Sequence, residues 1–169
     1  MSRKICIIGD FAVGKTSLVR RYVLNQFSPN YQATLGVNVY KYTDEISTGT
    51  ETLTLSQILW DIEGAKNGRD VIETYLRGGA GALVVGDATR AEAVENMQRT
   101  AATFLAVQPG RPVVFALNKI DLLPAGAEFD DTATADELGG PVVRTSAATG
   151  ASVPQLFRTL GQLVAEVDG

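Results

Sequence analysis

Gly9-Asp10-Phe11-Ala12-Val13-Gly14-Lys15-Thr16 is the stretch that decides the fold. It matches the pattern G-x-x-x-x-G-K-[ST]. The short β-branched run Ile5-Cys6-Ile7-Ile8 precedes it, and the helical pattern from Thr16 to Leu24 follows. A strand that enters a glycine-rich loop and leaves as a helix presents successive backbone N–H groups to one point. The helix N-terminus adds partial positive charge there. Such a loop suits a phosphate. The amides of Ala12, Val13, Gly14, Lys15, Thr16 and Ser17 are the candidate contacts. Lys15 is placed to reach terminal phosphates and the Thr16 hydroxyl to coordinate magnesium. Alone, the loop says only nucleoside triphosphate, since kinases and ATPases share it, and a glycine-rich structural turn remains the bland alternative.

Outward from the loop, apolar runs recur at Ala82 to Val85, at Val113 to Leu117 and, more weakly, at Val142-Val143. Continuous apolar runs suit parallel strands buried on both faces. Helical patterns separate them. Arg90 to Val107 carries Ala91, Val94, Met97, Ala101, Phe104 and Leu105 near helical spacing, and Val153 to Val167 carries a stripe of Leu156, Leu160, Leu163 and Val167. Pro154 suits a first helical turn. Val37 to Trp60 reads as two antiparallel strands about the polar turn Ser47-Thr48-Gly49-Thr50. Residues 124–140 are expected to hold a loop and a short helix. The order predicts a layered α/β fold with a mostly parallel sheet.

Asn118-Lys119-Ile120-Asp121 follows the run Val113 to Leu117, and so falls at the carboxyl edge of the sheet, where ligands bind. A carboxylate at Asp121 accepts from the ring N–H and exocyclic amine of guanine, whereas adenine offers it an acceptor. Sites that read by hydrogen bonds discriminate by roughly 10⁴ to 10⁵. As an isolated turn the tetrapeptide is weak; after a phosphate loop and a strand it is strong. Thr145-Ser146-Ala147, after Val142-Val143, could bring its backbone to the same base.

Composition narrows the chemistry. The chain has 169 residues, 45% hydrophobic and 20% charged, which fits one domain able to close a core without staples. No repeat or linker divides residues 1–169. Net charge is −4, against a nucleic-acid partner, which needs a basic face. There is no histidine, so a histidine base or ligand is excluded, and Cys6 is the single cysteine, so no intrachain disulfide forms. No signal peptide, membrane span, acceptor for myristoylation or C-terminal cysteine for prenylation is read. The expectation is a cytoplasmic chain with no direct lipid anchor.

Together these residues resemble the Ras superfamily of small GTPases, over nearly the whole chain, with Gly9-Asp10 and Gly14 to Leu18 especially Rab- or Rho-like. The resemblance implies a Ras-like G domain over residues 1–169: a three-layer P-loop fold whose six-stranded, mostly parallel sheet has one antiparallel edge strand and about five helices. Phe27 lies where the family sets an aromatic against the base. Tyr31 to Val37 resembles a Rab-type first switch, with Tyr31 at the nucleotide and Thr34 matching the threonine that meets magnesium and the γ-phosphate. Trp60-Asp61-Ile62-Glu63-Gly64 resembles the start of the second switch. Asp61 there matches the carboxylate that holds magnesium through water, and Gly64 the amide at the γ-phosphate. Asn118, Lys119, Asp121, Ser146 and Ala147 match the guanine motifs. Implied ligands are GTP, GDP and magnesium. Implied partners are effector, exchange and activating proteins, through residues 28–40 and 61–77.

Four positions depart from the pattern. Ala65 stands where the family's glutamine orients the attacking water, and a methyl group cannot do so. Glu63 replaces the usual alanine, and is considered as a substitute water positioner beside Lys15, Thr34 and Gly64; its bland reading is a solvated switch residue. Phe11 replaces a small residue, and Ala148 a lysine that packs over the base. The hairpin is longer than usual. Arg69 and Arg77, the nearest internal arginines, are expected to be structural. Slow hydrolysis aided by a partner is the expectation; a GTP- or GDP-binding module with negligible turnover is the alternative, and a P-loop kinase a weaker third.

Overall fold

A computed structural model describes residues 1–29, 36–63 and 68–169. Strands β1 (Ser2–Gly9), β2 (Val37–Ser47), β3 (Thr52–Ile62), β4 (Gly81–Asp87), β5 (Val113–Asn118) and β6 (Val142–Arg144) form one sheet in the order β2-β3-β1-β4-β5-β6. The β2–β3 pair is antiparallel and the other pairings are parallel. Helices are α1 (Lys15–Leu24), α2 (Arg69–Leu76), α3 (Ala93–Val107), α4 (Asp131–Leu138) and α5 (Val153–Asp168). The fold is thus the expected α/β G-domain architecture.

Side-chain alternation builds the layers. Ile5 and Ile7 of β1, Leu83 and Val85 of β4, and Val114 and Ala116 of β5 face one side, where Leu18, Val19, Leu156, Phe157 and Leu160 of α1 and α5 cover them. Cys6, Ile8, Ala82, Val84, Phe115 and Leu117 face the other side, against Leu76, Met97, Ala101 and Phe104 of α2 and α3. Period-2 alternation puts neighbours on opposite faces, so a continuous apolar run serves both cores at once.

The helical stripes shift in detail. In α5 the buried set is Val153, Leu156, Phe157, Leu160, Gly161, Val164 and Ala165, and Val167 is exposed. In α3 Leu105 is exposed, and Ala91 precedes the helix. A stripe of one residue per turn is too narrow for α5; the covered arc takes two neighbours per turn. Gly161 lets α5 lie close to the hairpin: a Cβ there would stand 3.2 Å from Ile46 Cδ1 and 3.3 Å from Leu55 Cδ2. Ile46, near the hairpin tip, is buried as a result.

Parallel strands end at one edge. Gly9, Asp87 and Asn118 therefore end three neighbouring strands: Gly9 pairs with Val85, and Asp87 with Asn118. The connections after β1 and β4 diverge to opposite halves of the sheet, which opens a crevice at that edge.

Candidate functional site

The loop after β1 wraps tightly because two residues take left-handed backbone. Ala12 has φ 59 and Gly14 has φ 98. Alternating hand in successive residues curls the chain into an anion-binding nest. Gly14 is required twice over. Its φ disfavours a side chain, and a Cβ would collide with Asn118 Nδ2. Gly9 has no room either, since a Cβ would meet the Val85 carbonyl oxygen.

Lys15 is buried at the loop's centre and donates from Nζ to the carbonyls of Gly9 at 3.1 Å and Asp10 at 3.0 Å. Burial lowers its pKa, and Asp61, Asp10 and Glu63 oppose that by stabilising the charge. Burial makes this charge costly to hold, and a polyanion would lower that cost. Thr16, in the first turn of α1, donates from Oγ1 to Asp61 Oδ2 at 2.5 Å. Asp61 is fully buried near the end of β3, paired with Ile7 of β1. A hydroxyl and a carboxylate are hard oxygen donors, the kind magnesium takes. These two fit that ion. Among the described residues no three His, Cys, Asp or Glu groups cluster. Phosphate and water would have to supply the remaining oxygens.

The base-side loop docks directly onto the phosphate loop. Asn118 Nδ2 donates to the Val13 carbonyl at 3.0 Å, and Lys119 Nζ to the Ala12 carbonyl at 2.7 Å. Thr145 Oγ1 in turn donates to Asn118 Oδ1 at 3.1 Å. Lys119 takes φ 67, which turns the chain sharply into a single 3-10 turn, Ile120–Leu122. Asp121 stays exposed, with Oδ1 accepting from Ser146 Oγ at 2.8 Å. Ser146 itself is buried, and its oxygen accepts from the Thr149 amide. Arg21 of α1 holds this second loop by donating to the carbonyls of Ala147 and Ala148, each at 2.7 Å. Ala12, Val13, Lys15, Thr16, Asp61, Asn118, Lys119, Asp121, Ser146 and Ala147 thus lie along one crevice. Phe27 is exposed beyond α1.

A family model, the Ras of Complex (Roc) domain of DAPkinase, matches residues 4–121. The protein RABA5e of Arabidopsis thaliana is 38% identical over 158 residues, covering 91% of this chain and 70% of that one. The chain belongs to the Ras superfamily of small GTPases. Within it the likeness is to Rab-type members. RABA5c of Arabidopsis thaliana is 44% identical over 96 residues, 57% of this chain and 43% of that protein. Rab-22A of Homo sapiens is 29% identical over 168 residues, 98% of this chain and 84% of that protein.

Three expectations for this small GTPase, Tyr31, Thr34 and Gly64, fall outside the described residues, as does Ala65. Glu63 is described, and it is half-buried rather than solvated. Its Oε2 accepts from the Gly36 amide at 2.9 Å, and its own amide donates to the Gly36 carbonyl at 2.9 Å. Arg69 pairs with Glu73 on an exposed face, while the Arg77 carbonyl accepts from Lys4. Reading the sequence missed Arg90, Asp87 and Arg21. Asp87 ends a buried strand just as Asn118 does, and that parallel was a usable signal. Nothing in the sequence marks Arg21 out.

Proposed function

We propose that residues 1–169 form one G domain that binds GTP or GDP with magnesium and acts as a slowly hydrolysing switch. What supports this most is the direct contact between the two motif loops, Asn118 to Val13 and Lys119 to Ala12. Two short motifs more than a hundred residues apart meet at one strand edge, one suited to phosphate and one to a guanine edge.

In this reading the amides of residues 12–17 and the Lys15 ammonium hold the phosphates. The Asp121 carboxylate reads the base, with Ser146 orienting it, while Ala147 and Ala148 line that side and Phe27 flanks the ring. Thr16, Thr34 and Asp61 would hold magnesium, which neutralises phosphate charge. Thr34 and Gly64 sense the terminal phosphate, with Tyr31 at the nucleotide, so loss of that phosphate relaxes residues 28–40 and 61–77. Effector, exchange and activating proteins would read those segments.

Slow turnover follows from Ala65, whose methyl group cannot orient water. An arginine finger is worth roughly 10³ to 10⁵ in rate, so a partner could restore turnover. The second reading, a GTP- or GDP-binding module with negligible hydrolysis, is favoured by the same residue. Single-turnover release of phosphate from bound GTP, with and without cell extract, separates the two. Measurable release that extract accelerates supports the switch; none under either condition supports the binding module. The same assay on Glu63→Ala decides whether Glu63 acts on water: an unchanged rate removes it from the mechanism.

A further inference from the structure

Arg90 lies in the turn between β4 and α3, about eighty residues from the phosphate loop in sequence, yet it touches that loop. Its Nη1 donates to the Phe11 carbonyl at 3.0 Å and its Nη2 to the Ala12 carbonyl at 3.4 Å. Its Nε stands 3.3 Å from Asp87 Oδ2. Asp87 is buried and fully engaged. Oδ1 accepts from the Thr89 amide at 2.9 Å and the Thr89 hydroxyl at 2.6 Å, while Oδ2 also pairs with Lys119 Nζ at 3.2 Å. One carboxylate therefore joins a cation of the base-side loop to a cation behind the phosphate loop.

The peptide plane gives this contact a consequence. The peptide bonds of the loop are trans, so each carbonyl and the N–H that follows it point in opposite directions. Arg90 holds the carbonyl of Phe11, Arg90 and Lys119 hold that of Ala12, and Asn118 holds that of Val13. The amides of Ala12, Val13 and Gly14 are thereby turned away from those three side chains. Ala12 also needs support. Its φ of 59 is left-handed, uncommon for a residue with a Cβ, and such conformations persist where surroundings over-determine them. Two cationic donors on its carbonyl supply that. A guanidinium suits the place because its planar fork spans two carbonyls while Nε keeps the carboxylate; a lysine has a single donor atom.

We propose that Arg90 is a positioning residue for the phosphate loop: braced by Asp87, it fixes the Phe11 and Ala12 peptides so that the Ala12 and Val13 amides meet the outer phosphate of a bound nucleotide. This rests on the reading of the loop as a guanine-nucleotide site. Arg90 never touches the nucleotide in this role, and its effect is confined to phosphates that those amides reach.

The test compares GDP with GMP, which share base, sugar and inner phosphate. Affinities of wild type, Arg90→Ala and Arg90→Lys are measured by displacement of a fluorescent GDP, alongside melting of the nucleotide-free proteins. Arg90→Ala is expected to lower the GDP-to-GMP affinity ratio about tenfold, the scale of one lost charge-assisted hydrogen bond, and to speed GDP release. Arg90→Lys should recover part of the ratio. A ratio equal to wild type in folded Arg90→Ala overturns the proposal, and so does an equal loss for both nucleotides with a lowered melting point, which marks a staple only. Should Arg90→Ala not fold, Arg90→Lys and Arg90→Gln carry the same comparison. Wild type failing to bind either nucleotide defeats the site reading instead, and that arm is read separately.

Discussion

Glu63 and Gly36 are tied twice, once through backbone and once through the Glu63 carboxylate, each bond 2.9 Å long. Gly36 immediately precedes β2 and Glu63 immediately follows β3, so the tie closes the open end of the hairpin. The segments on either side are the two that the family resemblance assigns to nucleotide sensing.

Removing the carboxylate should loosen the Gly36 amide. Glu63→Ala is expected to speed hydrogen exchange at Gly36 about tenfold, the equivalent of one net hydrogen bond. Glu63→Gln retains an oxygen acceptor and should exchange near the wild-type rate. Exchange that ignores both substitutions would show that the tie is not held in solution.

Asp87 should shape the acid limb of stability. Burial acts to raise its pKa, but hydrogen bonds from Thr89 and Lys119 outweigh that and hold the carboxyl below its ordinary 3.8. A carboxylate with a depressed folded pKa contributes stability above its unfolded pKa and loses it as pH falls through the lower folded value. Asp87→Asn should therefore cost about 2 kcal/mol near pH 7, and the gap to wild type should narrow below about pH 4. Urea midpoints at pH 7 and pH 3 check this. A gap of the same size at both would assign the loss to packing.

Gly14→Ala should damage the site with little harm to the fold. The new Cβ meets Asn118 Nδ2, and the φ of 98 is strained for alanine. Asn118 must withdraw, which breaks its bond to the Val13 carbonyl. GDP affinity is expected to fall about a hundredfold or more. Titration of the folded variant with GDP measures it, and wild-type affinity would mean the two loops tolerate separation.

Much of the fold was legible because the strands are buried on both faces. Ile5 to Ile8 and Val113 to Leu117 have no reading as exposed segments. The stripe in α5 was legible only in part. Spacing alone does not fix how wide an arc the sheet covers, so Val167 was counted inward although it is exposed. Motif residues Lys15, Thr16 and Asn118 were readable since their chemistry depends on local spacing. Arg90 and Arg21 were not, and Asp87 was marked only by ending a buried strand as Asn118 does. Arg90, Asp87 and Arg21 act by contacts across 79, 32 and 126 positions of sequence, and only the meeting of strand ends brings those partners together.

In the proposed site Asp121 carries the base preference. An amide at this position donates where the carboxylate accepted, which suits the xanthine carbonyl in place of the guanine amine. Asp121→Asn should shift the ratio of xanthine to guanine nucleotide affinity by at least about 10³. Ser146 supports the carboxylate at 2.8 Å, so Ser146→Ala should weaken GDP binding without changing base preference. Competition between GDP and XDP for the site resolves both. An Asp121→Asn variant whose xanthine-to-guanine ratio stays at the wild-type value contradicts the assignment.

The most direct measurement is calorimetric titration of folded, nucleotide-stripped protein with GDP and then with ADP, magnesium present. One GDP per chain, bound tightly, with no detectable uptake of ADP, is the predicted result. Absence of GDP binding, or equal heats for the two purines, would contradict the joined loops as a guanine-nucleotide site.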